Sequence, residues 1–206
     1  SGGKIINNSS SGDGGAVYLN QESSVLNVTG GTISGNTAAG NGGGVYIYRT
    51  GSVCQLYGGT IEKNKAGGNG GGIYINPSNS GQLKVGNTAA VQGNTVSGKA
   101  NNVYLPSGKT LTITGDLTDG ACVGVTTENK SYPTAFSNAW PADSADRFTA
   151  DDANAHVEYR DDQKLYLVSG APLVTYDVTV ETEGGGTASA SPETAAAGTE
   201  ITLTAV

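Results

Sequence analysis

A motif of the form GGxIxxN…GGGxYI returns along the first half of the chain at a nearly fixed interval. Gly30-Gly31-Thr32-Ile33-Ser34-Gly35-Asn36 comes back as Gly58-Gly59-Thr60-Ile61-Glu62-Lys63-Asn64, and Gly43-Gly44-Val45-Tyr46-Ile47 as Gly71-Gly72-Ile73-Tyr74-Ile75. Asn8, Asn36, Asn64 and Asn94 are separated by 28, 28 and 30 residues, as are Tyr18, Tyr46, Tyr74 and Tyr104. A repeat of roughly 20–50 residues cannot bury its own apolar face and must stack on its neighbours, so the period specifies a solenoid.

Within each repeat, three short apolar-alternating stretches are separated by Gly, Asn and Ser turns. In the second repeat they are Val45-Tyr46-Ile47, Val53 to Tyr57, and Thr60-Ile61-Glu62. Period-2 alternation is a strand signal, and no stretch shows helical periodicity. The fold class that follows is all-β, a right-handed parallel β-helix with three strands per coil and about four coils. Stacked strands lie about 4.8 Å apart along the axis. The residues flanking the tyrosines should face inward: Val17 and Leu19, Val45 and Ile47, Ile73 and Ile75, Val103 and Leu105. Leu26, Leu56, Leu83 and Leu111 are assigned to the second sheet, and Ile33, Ile61, Val91 and Val123 to the third.

The coils are expected over residues 1–125. Residues 126–169 then differ in composition, holding the single Trp (Trp140), both Phe (Phe136, Phe148) and the single His (His156). A bare solenoid end exposes unpaired backbone and an apolar lumen, so this stretch is expected to be a C-terminal β cap, with strands at Val157-Glu158-Tyr159 and Leu165 to Val168. Residues 170–175 read as a linker, and 176–206 as a truncated β-rich repeat domain. The chain has no Met and opens in mid-repeat, which leads us to expect an excised segment of a longer protein.

Charge is unevenly placed. Residues 1–115 hold seven bases against three acids, while residues 116–206 hold four bases against fifteen acids. No clustered Lys/Arg stripe tracks a phosphate backbone, so nucleic acid is not an expected partner. No run is long enough to span a bilayer, so membrane insertion is not expected of this segment. Cys54 and Cys122 fall on different coils and sheets by the repeat, and are read as two semi-buried thiols rather than a disulfide.

Two ladders stand out as sites. The alternation points Tyr18, Tyr46, Tyr74 and Tyr104 outward as a row of aromatic faces. Such a row has two readings: a platform on which sugar rings stack, or rings stacked on one another to stiffen the sheet. Asn8, Asn36, Asn64 and Asn94 fall at turns, where stacked amides bond along the axis; their role is read as structural. The loops Gly40-Asn41-Gly42-Gly43-Gly44 and Gly68-Asn69-Gly70-Gly71-Gly72 precede no helix and lack the Lys-Ser/Thr of a phosphate loop, so they are turns.

Enzymes are also built on β-helices. Glycoside hydrolysis needs two carboxylates roughly 5–10 Å apart, yet the coils offer only Asp13, Glu22 and Glu62, none at matching repeat positions. No catalytic residue is therefore assigned. In the cap, Asp143, Asp146, Asp151, Asp152, Asp161 and Asp162, with Arg147 and Arg160, read as solvated turn residues. Asp151-Asp152 could join a Ca²⁺ site, but no D-x-D-x-D-G loop is present; no metal or cofactor is assigned. His156 has no second His or Cys near it in sequence and is read as structural. Leu105-Pro106-Ser107-Gly108-Lys109 lacks the Thr-Gly order of a sortase signal.

The GGTISGNTA and GGGVYI repeats, followed by Asn102-Val103-Tyr104-Leu105-Pro106-Ser107-Gly108-Lys109 and Gly120 to Thr126, resemble large repetitive surface proteins of Gram-positive gut bacteria. A looser, architectural similarity links them to the repeats of chlamydial polymorphic outer-membrane proteins, in which Phe stands where this chain has Ile or Val. The tail, Tyr176 to Val180 through Gly184-Gly185-Gly186-Thr187 to Gly198-Thr199-Glu200-Ile201-Thr202-Leu203-Thr204, resembles bacterial surface repeat domains of the internalin B-repeat type. Together these resemblances imply a secreted or wall-anchored, adhesin-like protein and carry no catalytic residue to transfer. Glycans, for which the tyrosine row is the candidate surface, or a host surface protein are the expected partners, and a monomer is the expected state. The alternatives are a purely mechanical spacer, or a carbohydrate-active enzyme whose catalytic coils lie elsewhere.

Overall fold

The computed structural model describes residues 2–140, 142–171, 175–181, 187–191, 194–196 and 200–205. The chain divides into two compact units, residues 1–170 and 171–206. The first is a parallel β-solenoid of about five turns, one more than the four counted in the sequence. Helix is confined, among the described residues, to a single 3-10 segment, Ala142–Arg147.

One face is a stack of three-residue strands, Val17–Leu19, Val45–Ile47, Ile73–Ile75 and Val103–Leu105, paired in parallel with every tyrosine opposite the next. In two of the coils the expected second and third strands run together as one ten-residue strand, Val25–Ser34 and then Val53–Glu62, bent where the register shifts between Val28 and Thr32; in the next they are separate, Gln82–Asn87 and Ala90–Gln92. Gly31 and Gly59 sit at this corner with positive φ of 87° and 78°. That backbone favours a residue without Cβ. After each ladder Asn, a two-residue strand closes the coil: Ser9–Ser10, Thr37–Ala38, Lys65–Ala66 and Thr95–Val96. The repeat alone predicts a turn there, and the structure has a strand instead.

The lumen is filled by aliphatic rows. Val17, Val45, Ile73, Val103 and Val125 stack in one, and Ile33, Ile61, Val91 and Val123 in another. From the second turn onward these side chains are almost completely buried. Each is worth roughly 1.5–3 kcal/mol when fully buried. Leu26, Leu56 and Leu83 line the second sheet as expected but do not form one row. Leu26 stacks on Cys54 and then Leu83, whereas Leu56 stacks on Val28 and Val85. Alternation brings two apolar positions per strand inward here, and Cys54 fills one as a fully buried rung rather than a semi-buried thiol.

The fifth turn takes a short cut. The single strand Cys122–Thr127 pairs at one end with Ala90 and Val91 and at the other with Val103–Leu105. Residues 92–102 of the preceding turn, including the antiparallel pair Thr95–Val96 and Lys99–Ala100, are the loop it bypasses. Beyond this turn the cap seals the lumen. Phe148 stacks on Val123, and the ring of the fully buried Phe136 lies 5.4 Å from that of Phe148. Ala155–Tyr159 and Leu165–Ser169 pair antiparallel outside them.

In the second unit, Thr175–Asp177 pairs antiparallel with Thr194–Ala196, and Ala188–Ser191 with Thr202–Ala205. The Gly184-Gly185-Gly186 stretch of the tail lies outside the described residues.

Candidate functional site: two amide ladders and a tyrosine row

The asparagines form a directional ladder. Asn8 donates its backbone N–H and its Nδ2 to the Oδ1 of Asn36, both at 2.9 Å. Asn36 does the same to Asn64, and Asn64 to Asn94, at 2.9–3.0 Å. Each Nδ2 also reaches back to a carbonyl of the previous turn: Asn36 to Ile5, Asn64 to Ile33, Asn94 to Ile61. Asn36, Asn64 and Asn94 have no exposed surface. Fully satisfied buried amides of this kind fix the register of one turn on the next. The residue before each rung is left-handed, Asn7, Gly35, Lys63 and Gly93, with φ of 57°, 68°, 55° and 63°. That kink turns the amide into the lumen.

The ladder extends two rungs further than the sequence suggested. Asn94 donates to Asn102 Oδ1 at 2.8 Å through its backbone and 3.0 Å through Nδ2. Asn102 in turn donates to the carboxylate of Asp151, at 2.6 Å from its backbone and 2.5 Å from Nδ2, and the Thr126 hydroxyl adds a third bond at 2.8 Å. Asp151 is therefore not the solvated turn acid expected. It is a partly buried acceptor that ends the ladder, and burial pushes its pKa above the ordinary carboxylate value even though these donors pull it down. A signal for Asn102 was present: it replaces the glycine that precedes Val45 and Ile73 in the repeat.

A second ladder runs along the glycine loops in the opposite sense. Asn69 donates its backbone N–H to Asn41 Oδ1 at 2.8 Å, and Asn41 donates its own to Asp13 Oδ1 at 2.6 Å. Here too the last acceptor is a carboxylate. Asp13, Asn41 and Asn69 are 28 residues apart, so the repeat held this ladder in plain view.

The tyrosine rings stack along the outer face. Tyr18 lies parallel to Tyr46, 5.2 Å between centroids and 2° between planes. Tyr46 meets Tyr74 at 5.1 Å and 58°, and Tyr74 meets Tyr104 at 5.7 Å and 26°. Tyr48, absent from the sequence-level row, leans on both Tyr18 and Tyr46 at 5.4 and 5.5 Å. The result is uneven exposure. Tyr46 is only 5% exposed, with Asn76 Nδ2 donating to its hydroxyl at 3.3 Å, whereas Tyr18 is 40% exposed. Burial is the first cause raising the pKa of Tyr46, and it does the same at Tyr74 and Tyr104.

The coil acids are dispersed: Asp13 belongs to the second ladder, and Glu62 faces Lys63 at 3.5 Å on the surface. In the cap, Asp152 accepts from the Asn154 backbone at 3.0 Å, Asp162 pairs with Lys164 at 3.1 Å, and Arg160 with Glu158 at 3.2 Å. Arg147 reaches Asp119 at 2.8 Å. Asp146 and Asp161 are exposed, and the side chain of Asp143 lies outside the described residues. His156 bridges the Gly170 carbonyl at 2.8 Å and Glu158 at 3.0 Å. Among the described residues no group of three or more His, Cys, Asp or Glu could hold a metal ion, and no helix is long and apolar enough to cross a membrane. Cys54 and Cys122 are both free thiols. No protein-family model, curated protein or solved structure matches this chain.

Proposed function

We propose that this chain is a non-catalytic stalk and adhesion module of a secreted or wall-anchored bacterial surface protein. The observation that supports this most directly is the uninterrupted amide ladder from Asn8 to Asp151. It ties turn to turn by hydrogen bonds that are buried along its middle, from Asn36 to Asn102, which suits a segment that must hold its shape outside a cell. Around it, four successive turns each place a tyrosine on the outer face, with Thr126 at that place in the fifth, and this row offers aromatic surface on which glycans stack.

The mechanical-spacer reading retains one specific observation in its favour. Tyr46, at the centre of the row, is covered by its neighbours, and its ring serves packing more than contact with a ligand. A glycan-array screen combined with limited proteolysis separates the two. The adhesion module gives reproducible glycan binding on a protease-resistant solenoid; the spacer gives resistance without binding. Turnover of a polysaccharide by this chain overturns both.

A further inference from the structure

The tyrosine face is open at one place. Tyr18 has one face on Tyr46 and 40% of its surface exposed, and Tyr48 leans against it at 58° to form a corner of two rings. At this corner the Arg49 guanidinium lies over the Tyr48 ring, 4.9 Å from its centroid. Arg49 is exposed and makes no ion pair among the described residues. A stacked guanidinium is held flat, and its N–H edges are free to grip a planar oxyanion in a two-pronged fashion.

We propose that Tyr18, Tyr48 and Arg49 form a docking corner for anionic sugars, the carboxylate- or sulfate-bearing residues of an acidic polysaccharide. The exposed ring of Tyr18 takes the apolar face of a pyranose, and Arg49 binds the anionic substituent. Charge complementarity supports this choice over a neutral glycan, because residues 1–115 carry seven bases against three acids. The acid whose charge reaches Tyr18 is Asp13, and its Oδ1 is already engaged by Asn41. Tyr46, covered by its neighbours, backs the corner rather than lining it. The inference rests on the adhesion reading above and narrows its ligand.

Affinity electrophoresis of the whole chain through gels containing polygalacturonate, chondroitin sulfate or a neutral β-glucan tests it. Retardation is expected in one or both acidic gels and not in the neutral one. Arg49→Gln should weaken it about tenfold or more, the loss of a charge-assisted bond. Tyr18→Ala should weaken it roughly three- to tenfold. Lys63→Gln removes the same unit of charge from an exposed side chain and should leave retardation unchanged. Equal loss in Lys63→Gln and Arg49→Gln would mean diffuse charge attraction and overturn the corner. Retardation in the neutral gel that is indifferent to Arg49→Gln overturns the anionic ligand while leaving adhesion standing. Absence of retardation in all three gels overturns both the corner and carbohydrate adhesion, leaving the spacer.

Discussion

Asp151 receives both donors of Asn102, the backbone N–H at 2.6 Å and Nδ2 at 2.5 Å, although the two residues are 49 positions apart. A carboxylate only accepts, so it can finish a chain of amides in which every rung donates forward. Asp151→Ala should leave the Asn102 donors unpaired and cost about 2–4 kcal/mol, seen as a lowered melting temperature. Asp151→Asn keeps an acceptor oxygen and should stay within about 1 kcal/mol of the parent chain.

The same residue predicts a pH dependence. Burial raises its pKa above the unfolded value, so the folded chain binds this proton more tightly than the unfolded chain does. Its stabilising contribution is thus fully present below the unfolded carboxylate value and fades as pH rises through the folded one. Melting curves between acid and neutral pH should show this step in the parent and not in Asp151→Asn; identical pH profiles for the two would refute it.

In the middle of the ladder, Asn64→Ala removes two acceptor contacts to Asn36 and two donor contacts to Asn94 and Ile33, all buried. We expect a loss of about 3 kcal/mol or more, against well under 1 kcal/mol for Asn8→Ala at the exposed first rung. Chemical denaturation of both variants gives the comparison.

Lys63 is the one bulky side chain at the left-handed position before a rung, where Gly35 and Gly93 stand in neighbouring turns. Lys63→Gly should stabilise the solenoid by about 0.5–1 kcal/mol, the left-handed strain exceeding the added freedom of the unfolded chain. The ion pair to Glu62 that it forfeits is highly exposed and contributes little.

Gly72 and Gly30 make a matched pair. A methyl group at Gly72 would meet Asn102 O at 2.6 Å, Asn94 Nδ2 at 2.8 Å and Val91 Cγ1 at 2.9 Å, whereas one at Gly30 meets nothing within 4 Å. Gly72→Ala should therefore push the ladder apart and unfold the chain at markedly lower temperature, and Gly30→Ala should be neutral or mildly stabilising.

Thiol chemistry reads the lumen directly. Burial pushes the Cys54 pKa up to about 12, while Cys122 is only half-buried. In the native chain at pH 8 a thiol-specific reagent should label Cys122 first, with Cys54 reacting only on unfolding. Equal native rates would contradict the assignment of Cys54 as a core rung.

The rows built on Val17 and Ile33 were legible in the sequence because one aliphatic recurs at the same place in each repeat. The sheet of the leucines was legible too, but not their rungs, since each long strand turns two apolar positions inward and Leu56 lies opposite Val28 rather than Leu26. The first four rungs of the ladder were visible from their spacing. Asn102 was marked only by its replacing a repeat glycine, because it follows Asn94 by 8 positions rather than by a full turn, and nothing local marks an Asp-Asp pair in a cap as an acceptor for a distant amide. The tyrosines were placed on the outer face, and Tyr48, which covers Tyr46, was left out of the row because it lies just past the strand Val45–Ile47 and does not recur in the other repeats.

Because the rungs of both amide ladders are interchangeable and only their last members differ, the rod separates the problem of growing from the problem of stopping. Copying a 28-residue unit in the gene would insert another storey whose asparagines find the same partners above and below. Losing one would close the gap without leaving an unmet donor. Length can drift by recombination, while two aspartates, Asp13 at one end and Asp151 at the other, keep each ladder finished.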